Sequence, residues 1–527
     1  MPPEGPDASR AGAFFRAMEQ EFAPQKRMLQ QDERRACAAS IRTKRTEERT
    51  VLPMPTPKRP NLLFVFADQL RYASVGYTGG RPGLTPHIDA LRAQSLDLCN
   101  AVSGHPVCAP FRASLFTGKY TTSTGMVINE IRISPNHRCI AHVLNEGGYE
   151  TAYIGKWHLY ANELGNHYDP KNSFVPKGPD RLGFDGFFAH YGFHHEYYAP
   201  HAYYHLDTPE KIYHDGYEPD CVTDMAIGQL RRLAAGNQPF SLFLSIGTPH
   251  DPWTPDNVPA EYLERVKDMT FELPDNYLPQ NDPHADNWAR LSDEERAELT
   301  SWMRCYHAMV ANLDDNIGRL MRAVDELGLA EDTIVIFTSD HGECFGAHGR
   351  RAKNIFYEEA VRVPFLMRWP GRLQAGGTCD VCLNTVDIMP TLLSMLDLPI
   401  PQTVEGNDLS GFLFDARRAS EDGALMMCCG PTAAWGDGYE WRAYRTKRYT
   451  YAVYRGDGQE LLFDHVEDPL QLRDLSKEPG YEKLKASLRE AMWDKMRRIN
   501  DTFEANSYYR DHWVEDRIIR RTATMDN

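Results

Sequence analysis

The sequence predicts an α/β fold, with a mainly parallel central sheet flanked by helices and a smaller C-terminal α+β subdomain. Three observations carry this. From residue 60 to about 400, short continuous apolar runs alternate with helical patterns, as in strands buried on both faces and joined by crossover helices. After about residue 420 the pattern becomes closely spaced strands, at 442–454 and 460–464, ending in an amphipathic stretch over 480–503. The chain has 527 residues, 42% hydrophobic and 25% charged, a balance that supports a large core without disulfide staples.

In chain order, residues 1–59 are read as an N-terminal extension and linker, 60–420 as the main α/β domain and 421–527 as a C-terminal subdomain. The extension holds 12 basic and 8 acidic residues, net +4, which leaves −20 for the remainder. Phe15, Met18 and Phe22 share one helical face, read as a helix lying on the domain. Four prolines in 51–60 mark the linker. The run 62–67 (LLFVFA) is the first strand. Residues 85–97 fit a helix capped by Thr85 with Pro86 at its first position. Further strands fall at 149–154, 240–246, 333–338 and 363–368, and helices at 138–146, 220–235, 293–328 and 387–396.

The net charge of −16, with no strongly basic domain, argues against a nucleic-acid binder. No apolar run reaches the roughly 18 residues of a membrane helix. Eleven cysteines are too sparse for a disulfide framework and read as mostly reduced. Residues 1–30 carry Glu4, Asp7, Arg10, Arg16, Glu19 and Glu21 without a signal-type apolar core, so the expected location is the cytoplasm.

Four polar residues fall where buried strands end: Asp68 and Gln69 after the first, Asp340 and His341 after TIVIFTS. In a parallel sheet, ligands gather at that carboxyl edge. Two carboxylates, an amide oxygen and an imidazole form a divalent-metal set, although either pair alone also fits helix capping. The segment 105–118 contains Cys108-Ala109-Pro110-Phe111-Arg112, a C-x-P-x-R pattern. A cysteine at a helix start beside an arginine reads either as a buried core residue or as an activated thiol.

Here the chain resembles the sulfatase family of the alkaline phosphatase superfamily. The resemblance runs through most of residues 60–480. It rests on LLFVFADQ at 62–69, TPHIDALRAQS at 85–95, CAPFRASLFTGKY at 108–120 and GGYETAYIGKWHL at 147–159. It continues with TPHDPW at 248–253, TSDHGECFGAHGRRAK at 338–353 and VPFLMRWPG at 363–371. It implies that a maturation enzyme converts Cys108 to formylglycine, whose hydrated aldehyde attacks the sulfur of a sulfate monoester. It implies that Arg112 holds this side chain and that Asp68, Gln69, Asp340 and His341, with the modified Cys108, surround one divalent ion. Lys156 and Lys353 would grip sulfate oxygens. His250 would be the general acid and His158 the general base. Asn129, in GMVINE, would contact the ester group.

The resemblance has departures. Many sulfatases carry Asp-Asp and Asp-Asn where this chain has Asp68-Gln69 and Asp340-His341. Calcium is the implied ion, but these changes admit manganese or another transition metal. The Asp-Gln pair also occurs in phosphonate monoester hydrolases, which use formylglycine, so a phosphonate monoester or phosphodiester hydrolase is the rival activity. An inactive binding homologue is the non-enzymatic alternative. Phe111 fills a position more often occupied by a small residue. Residues 186–217 interleave six histidines (His190, His194, His195, His201, His205 and His214) with aromatic residues. They read as a loop over the site that sets specificity for a sulfated small molecule or saccharide, with a second metal site as the lesser reading. The expected partners are that substrate and the maturation enzyme. A homo-oligomer is compatible with the sequence, and neither nucleic acid nor membrane is expected.

Overall fold

The computed structural model describes residues 59–161, 170–277, 291–415, 420 and 422–513. The face formed by Phe15, Met18 and Phe22 and most of the 51–60 linker lie outside the described residues. In chain order the main elements are β1 (Asn61–Ala67), α1 (Pro86–Ala93), β2 (Leu96–Leu98), α2 (Cys108–Thr117), α3 (Ile140–Glu146), β3 (Glu150–Lys156) and β4 (Phe188–Tyr191). There follow α4 (Glu218–Ala234), β5 (Phe240–Ile246), α5 (Asp293–Glu326), β6 (Thr333–Ser339), β7 (Phe365–Arg368), β8 (Thr378–Cys379) and α6 (Thr385–Met395). The C-terminal part holds β9 (Ala424–Cys428), β10 (Trp441–Arg445), β11 (Tyr449–Tyr454), β12 (Glu460–Asp464) and α7 (Glu482–Arg498).

Eight strands form one sheet in the order β8-β2-β7-β6-β1-β5-β3-β4. Neighbours run parallel except where β7 meets β2 and β6. The alternation along β1 explains why the sheet is covered twice. Leu62, Phe64 and Phe66 pack with residues of α2, α3 and α6. Leu63, Val65 and Ala67 pack with α1, α4 and α5. A strand apolar at every position thus serves two cores.

The second sheet, β9-β10-β11-β12, is antiparallel throughout. Met426, Ala443, Ala452 and Phe463 face the Ile355–Val361 region. Leu425, Met427, Tyr444, Tyr451 and Leu462 face Leu488, Met492 and Met496 of α7. Among the described residues no helix is long and apolar enough to cross a membrane, and ten cysteines are free.

Two expectations are corrected. The helix predicted over 85–97 ends at Ala93, because Leu96–Leu98 leaves it to pair with β7 and β8. Thr85 occupies the N-cap position, its carbonyl accepting from the Asp89 N–H, but its side chain does not cap the helix. Its hydroxyl accepts from the Gly76 N–H, while the Asp314 carboxylate on α5 accepts from the N–H groups of His87 and Ile88. The long-range carboxylate replaces the local hydroxyl as the helix's acceptor. The strand Ala424–Cys428 was not anticipated, because ALMMC lacks the β-branched residues that mark strands.

Candidate active site

The site begins with register. β1 and β6 are paired with Ala67 opposite Ser339, so Asp68-Gln69 and Asp340-His341 leave the sheet at the same edge. All four are buried. Gln69 turns through φ 67°, and its N–H donates to Asp340 Oδ1 at 2.9 Å, tying the two strand ends together.

Cys108 is the first residue of α2. The second N–H of that helix, from Ala109, donates to the Asn129 side-chain oxygen at 2.9 Å. Asn129 is itself fixed by its N–H to Thr432 O at 2.8 Å. Its side-chain oxygen is therefore committed to holding the helix start that carries Cys108. Phe111 points into the core, 6.2 Å from the ring of Phe66, which explains why a bulky residue fits within the motif. Arg112, one turn after Cys108, is fully buried. Its guanidinium donates to Asp340 Oδ2 at 2.8 Å, Asp68 Oδ2 at 3.2 Å and Ser245 Oγ at 3.0 Å, and to the Cys108 carbonyl at 3.3 Å. One planar fork thus spans both strand ends and the helix.

Lys156 ends β3 and places Nζ 2.6 Å from Asp68 Oδ2. It reaches there because Gly155, at φ 106°, lets β3 press against β5: a Cβ at this position would lie 1.9 Å from Ser245 O. Lys353 arrives from the segment after β6. Its Nζ lies 2.7 Å from Gln69 Oε1 and 3.3 Å from Cys108 Sγ. It also lies 3.0 Å from His250 Nε2.

Asp68, Cys108, Asp340 and His341 bring one donor atom each to within 4.8 Å of one another. His341 Nε2 is 3.2 Å from Cys108 Sγ and 3.5 Å from Asp340 Oδ1. His341 Nδ1 lies 2.9 Å from Gly342 O. A proton on Nδ1 satisfies that carbonyl and leaves the Nε2 lone pair facing the carboxylates, the tautomer a metal ligand needs.

The electrostatics follow from this crowding. Burial pushes the Cys108 thiol up, but Lys156, Lys353 and His341 outweigh it and hold the thiol well below its usual range. Burial and Cys108 push Asp68 up, yet Lys156, His250 and Arg112 bring its carboxyl below the ordinary range. Asp340 is raised, by burial first and then by Asp68. The two histidines diverge. Burial lowers His158 to about 3, against the opposing effect of a hydrogen bond with Cys108. His250 rises to about 9: burial and Lys353 oppose its charge, but Asp251 and Asp68 prevail. Its Nδ1 sits 2.9 Å from Asp251 Oδ1.

The structure therefore gathers Asp68, Gln69, Cys108, Arg112, Lys156, His158, His250, Asp340, His341 and Lys353 at one edge, and places Asn129 behind the nucleophile's helix. Four participants lacked a role in the sequence reading: Asp251, Ser245, Glu343 and His195. Asp251 was visible as the neighbour of His250. His195 lies in the histidine tract and stacks on His250 with ring centres 3.8 Å apart. Ser245 and Glu343 gave no signal, since a buried Ser or Glu beside a strand has no distinctive spacing. Among the described residues the remaining tract does not converge on a metal-type cluster. His190 accepts from Val175 N–H, His205 Nε2 pairs with Ser173, and His194 pairs with Glu218. Among the described residues the one other cluster of ligand type is His87, Asp314 and Asp315.

Cations gathered around buried carboxylates and a nucleophilic side chain, at the carboxyl edge of a mainly parallel sheet, define a hydrolase of anionic esters. The sulfatase family model matches residues 60–398, and the model for the N-sulphoglucosamine sulphohydrolase C-terminal region matches 346–498. The chain belongs to the sulfatase family and is a sulfuric ester hydrolase. It is 36% identical to an ulvan-active sulfatase of Formosa agariphila over 88% of this chain and 86% of the relative. It is 25% identical to an N-acetylglucosamine-6-O-sulfatase of Bacteroides thetaiotaomicron, over 80% and 82%. A solved structure assigned as the sulfatase yidJ of Bacteroides fragilis superposes with a TM-score of 0.74 at 30% identity, covering 87% of this chain and 99% of that one.

Proposed function

We propose that the substrate is a sulfate monoester carried by a saccharide or similar small molecule, cleaved to an alcohol and inorganic sulfate at Cys108. The observation that carries this reading is the cluster of basic side chains at Cys108: Lys353 Nζ lies 3.3 Å from its sulfur and 3.0 Å from His250 Nε2, with Lys156 Nζ on the adjoining Asp68. The names of the two relatives, one active on ulvan and one on N-acetylglucosamine-6-O-sulfate, support a saccharide. Of the 190–214 tract, His195 reaches the site by stacking on His250, whereas Tyr191, Phe193, Tyr197 and Tyr203 are buried within the protein.

Cys108 is the residue that a formylglycine-generating enzyme would modify, and the hydrated aldehyde supplies the nucleophile. Asp68, Gln69, Asp340 and His341 would hold the divalent ion, which would supply Lewis-acid stabilisation of the sulfate group. The donor set fits: three side-chain oxygens support calcium, and the His341 imidazole opens the site to manganese. Lys156, fully buried, and Lys353, partly buried, neutralise sulfate oxygens. His250 gives a proton to the leaving oxygen, and Asp251 keeps that proton available. His158, uncharged at neutral pH, accepts a proton during the release of sulfate. Arg112 fixes the two aspartates and the start of α2 in one frame.

The test is turnover of an aryl sulfate and of a phosphodiester by protein co-expressed with the maturation enzyme, alongside Cys108→Ala and the mass of the peptide spanning Cys108. Faster sulfate release, lost in Cys108→Ala, with the mass of an aldehyde in place of the thiol-bearing carbon, is the expected result. Faster phosphodiester cleavage would make this a phosphonate monoester or phosphodiester hydrolase. Full activity in Cys108→Ala would remove the covalent mechanism.

A further inference from the structure

Gln69 is a neutral ligand with two chemically opposite ends, and an amide can turn over at almost no steric cost. In this structure its orientation is set from both sides. Oε1 accepts from Lys353 Nζ at 2.7 Å, and Nε2 donates to Glu343 Oε2 at 2.7 Å. Glu343 is fully buried. Its other oxygen, Oε1, accepts from the N–H groups of Phe345 at 3.0 Å and Ala352 at 2.8 Å. Each of these hydrogen bonds to the Glu343 side chain is one it accepts. An ionised carboxylate accepts only, so a reversed Gln69 would set oxygen against oxygen at Glu343 and its NH2 against the Lys353 ammonium.

We propose that Glu343 is a positioning residue of the metal centre: it fixes the Gln69 amide so that its carbonyl oxygen, never its NH2, faces the divalent ion, and it places a buried negative charge directly behind this neutral ligand. The proposal rests on the reading of Asp68, Gln69, Asp340 and His341 as the metal site. Glu343 does not touch the ion's position through its own oxygens, because Oε1 is engaged by two backbone donors and Oε2 by Gln69. The same two bonds from Phe345 and Ala352 tie the orientation to the loop that delivers Lys353, one residue after Ala352. Metal ligand and sulfate-gripping lysine are thereby set by one carboxylate.

The substitution that isolates this is Glu343→Gln, which keeps size and shape. The oxygen of the substituted side chain is still required by Phe345 and Ala352, so its new NH2 turns toward Gln69. Gln69 must then turn over and present its own NH2 to the ion. The measurement is the affinity of chelator-stripped protein for Mn2+ and Ca2+ by titration calorimetry, with circular dichroism to establish that each variant is folded. Glu343→Gln should bind about 10–100-fold more weakly than the parent, the usual effect of losing a ligand's outer partner. The double variant Glu343→Gln/Gln69→Glu reverses the polarity of the pair: the new amide at position 343 donates to the new carboxylate at position 69, whose second oxygen meets both the ion and Lys353. It should regain the parent's affinity. Parent-like binding in Glu343→Gln would overturn the proposal, as would a double variant no tighter than the single one. Asp340→Asn separates the two levels. Unchanged metal binding there would remove the metal site itself, whereas loss of binding there with parent-like Glu343→Gln would remove only the role of Glu343.

Discussion

His158 and His250 are both buried at the same pocket, and burial alone would make both neutral. Only His250 has carboxylates within reach, Asp251 at 2.9 Å and Asp68 at 4.0 Å, and these more than offset burial and the nearby Lys353. The division of labour between acid and base is thus a matter of which imidazole has an anionic neighbour. A group whose pKa is raised to about 9 carries its proton below that pH and loses it above. With His250 as the acid, kcat should hold through neutral pH and fall as pH rises past about 9. Asp251→Asn removes the nearest raising charge, so the alkaline fall should move to lower pH by about one to two pH units. A pH–rate profile of the two proteins checks this, and an unmoved alkaline limb would show that another group is the acid. At this scale much was legible, because Cys108, Arg112, Lys156, His250 and Lys353 lie in recognisable motifs. Glu343 and His195 were not, because hydrogen-bond polarity and ring stacking depend on which segments meet in space.

Elements matter here mainly as ends. The carboxyl ends of β1, β3 and β6 and the amino end of α2 converge, and each presents its functional residue at or next to its terminus. The start of α2 has an N–H that no preceding turn satisfies, and Asn129 supplies the acceptor from a separate loop. Asn129→Ala would leave the Ala109 N–H buried without a partner, at a cost of about 1–3 kcal/mol. The expected outcome is a lower Tm and a lower kcat, since the displaced atom belongs to the residue after Cys108. A variant with unchanged Tm and a raised KM alone would instead place Asn129 on the substrate. Apolar periodicity and length revealed the long helices and the fully buried strands. They failed at β2, three residues that continue a helical pattern until β7 and β8 recruit them, and at β9, whose leucine, two methionines and one cysteine are as compatible with a buried helix as with a strand.

At the scale of the whole molecule, the four-stranded sheet packs one face on the Ile355–Val361 segment, and of its two buried arginines one braces the C-terminal part and the other crosses to the catalytic part. Arg442 pairs with Asp501, its second nitrogen 2.8 Å from Oδ1, and so ties β10 to the chain after α7. Arg445 reaches the other way, donating to Glu358 Oε1 at 2.7 Å and Oε2 at 3.0 Å. Glu358 stands five residues after Lys353, so this bond anchors the segment that delivers a sulfate-gripping lysine. None of this was visible in the sequence, where the eight-strand order and an ion pair spanning 87 residues leave no periodic trace. Burial opposes the charge of Glu358, but Arg445 wins and lowers its carboxyl from 4.5 to about 2. A lowered carboxyl stabilises the fold fully above its unfolded value and loses that contribution as pH falls from about 4.5 through about 2. Glu358→Gln leaves Arg445 buried without its counter-charge, at a cost of about 3 kcal/mol at neutral pH. The Tm gap between parent and Glu358→Gln should be widest at about pH 6–8, narrow below about pH 4.5 and close only as pH nears about 2, where the parent carries a protonated Glu358 of nearly the same chemistry. Thermal melts of the two proteins across that range decide it. A gap independent of pH would mean that shape, rather than charge, holds the two sheets together.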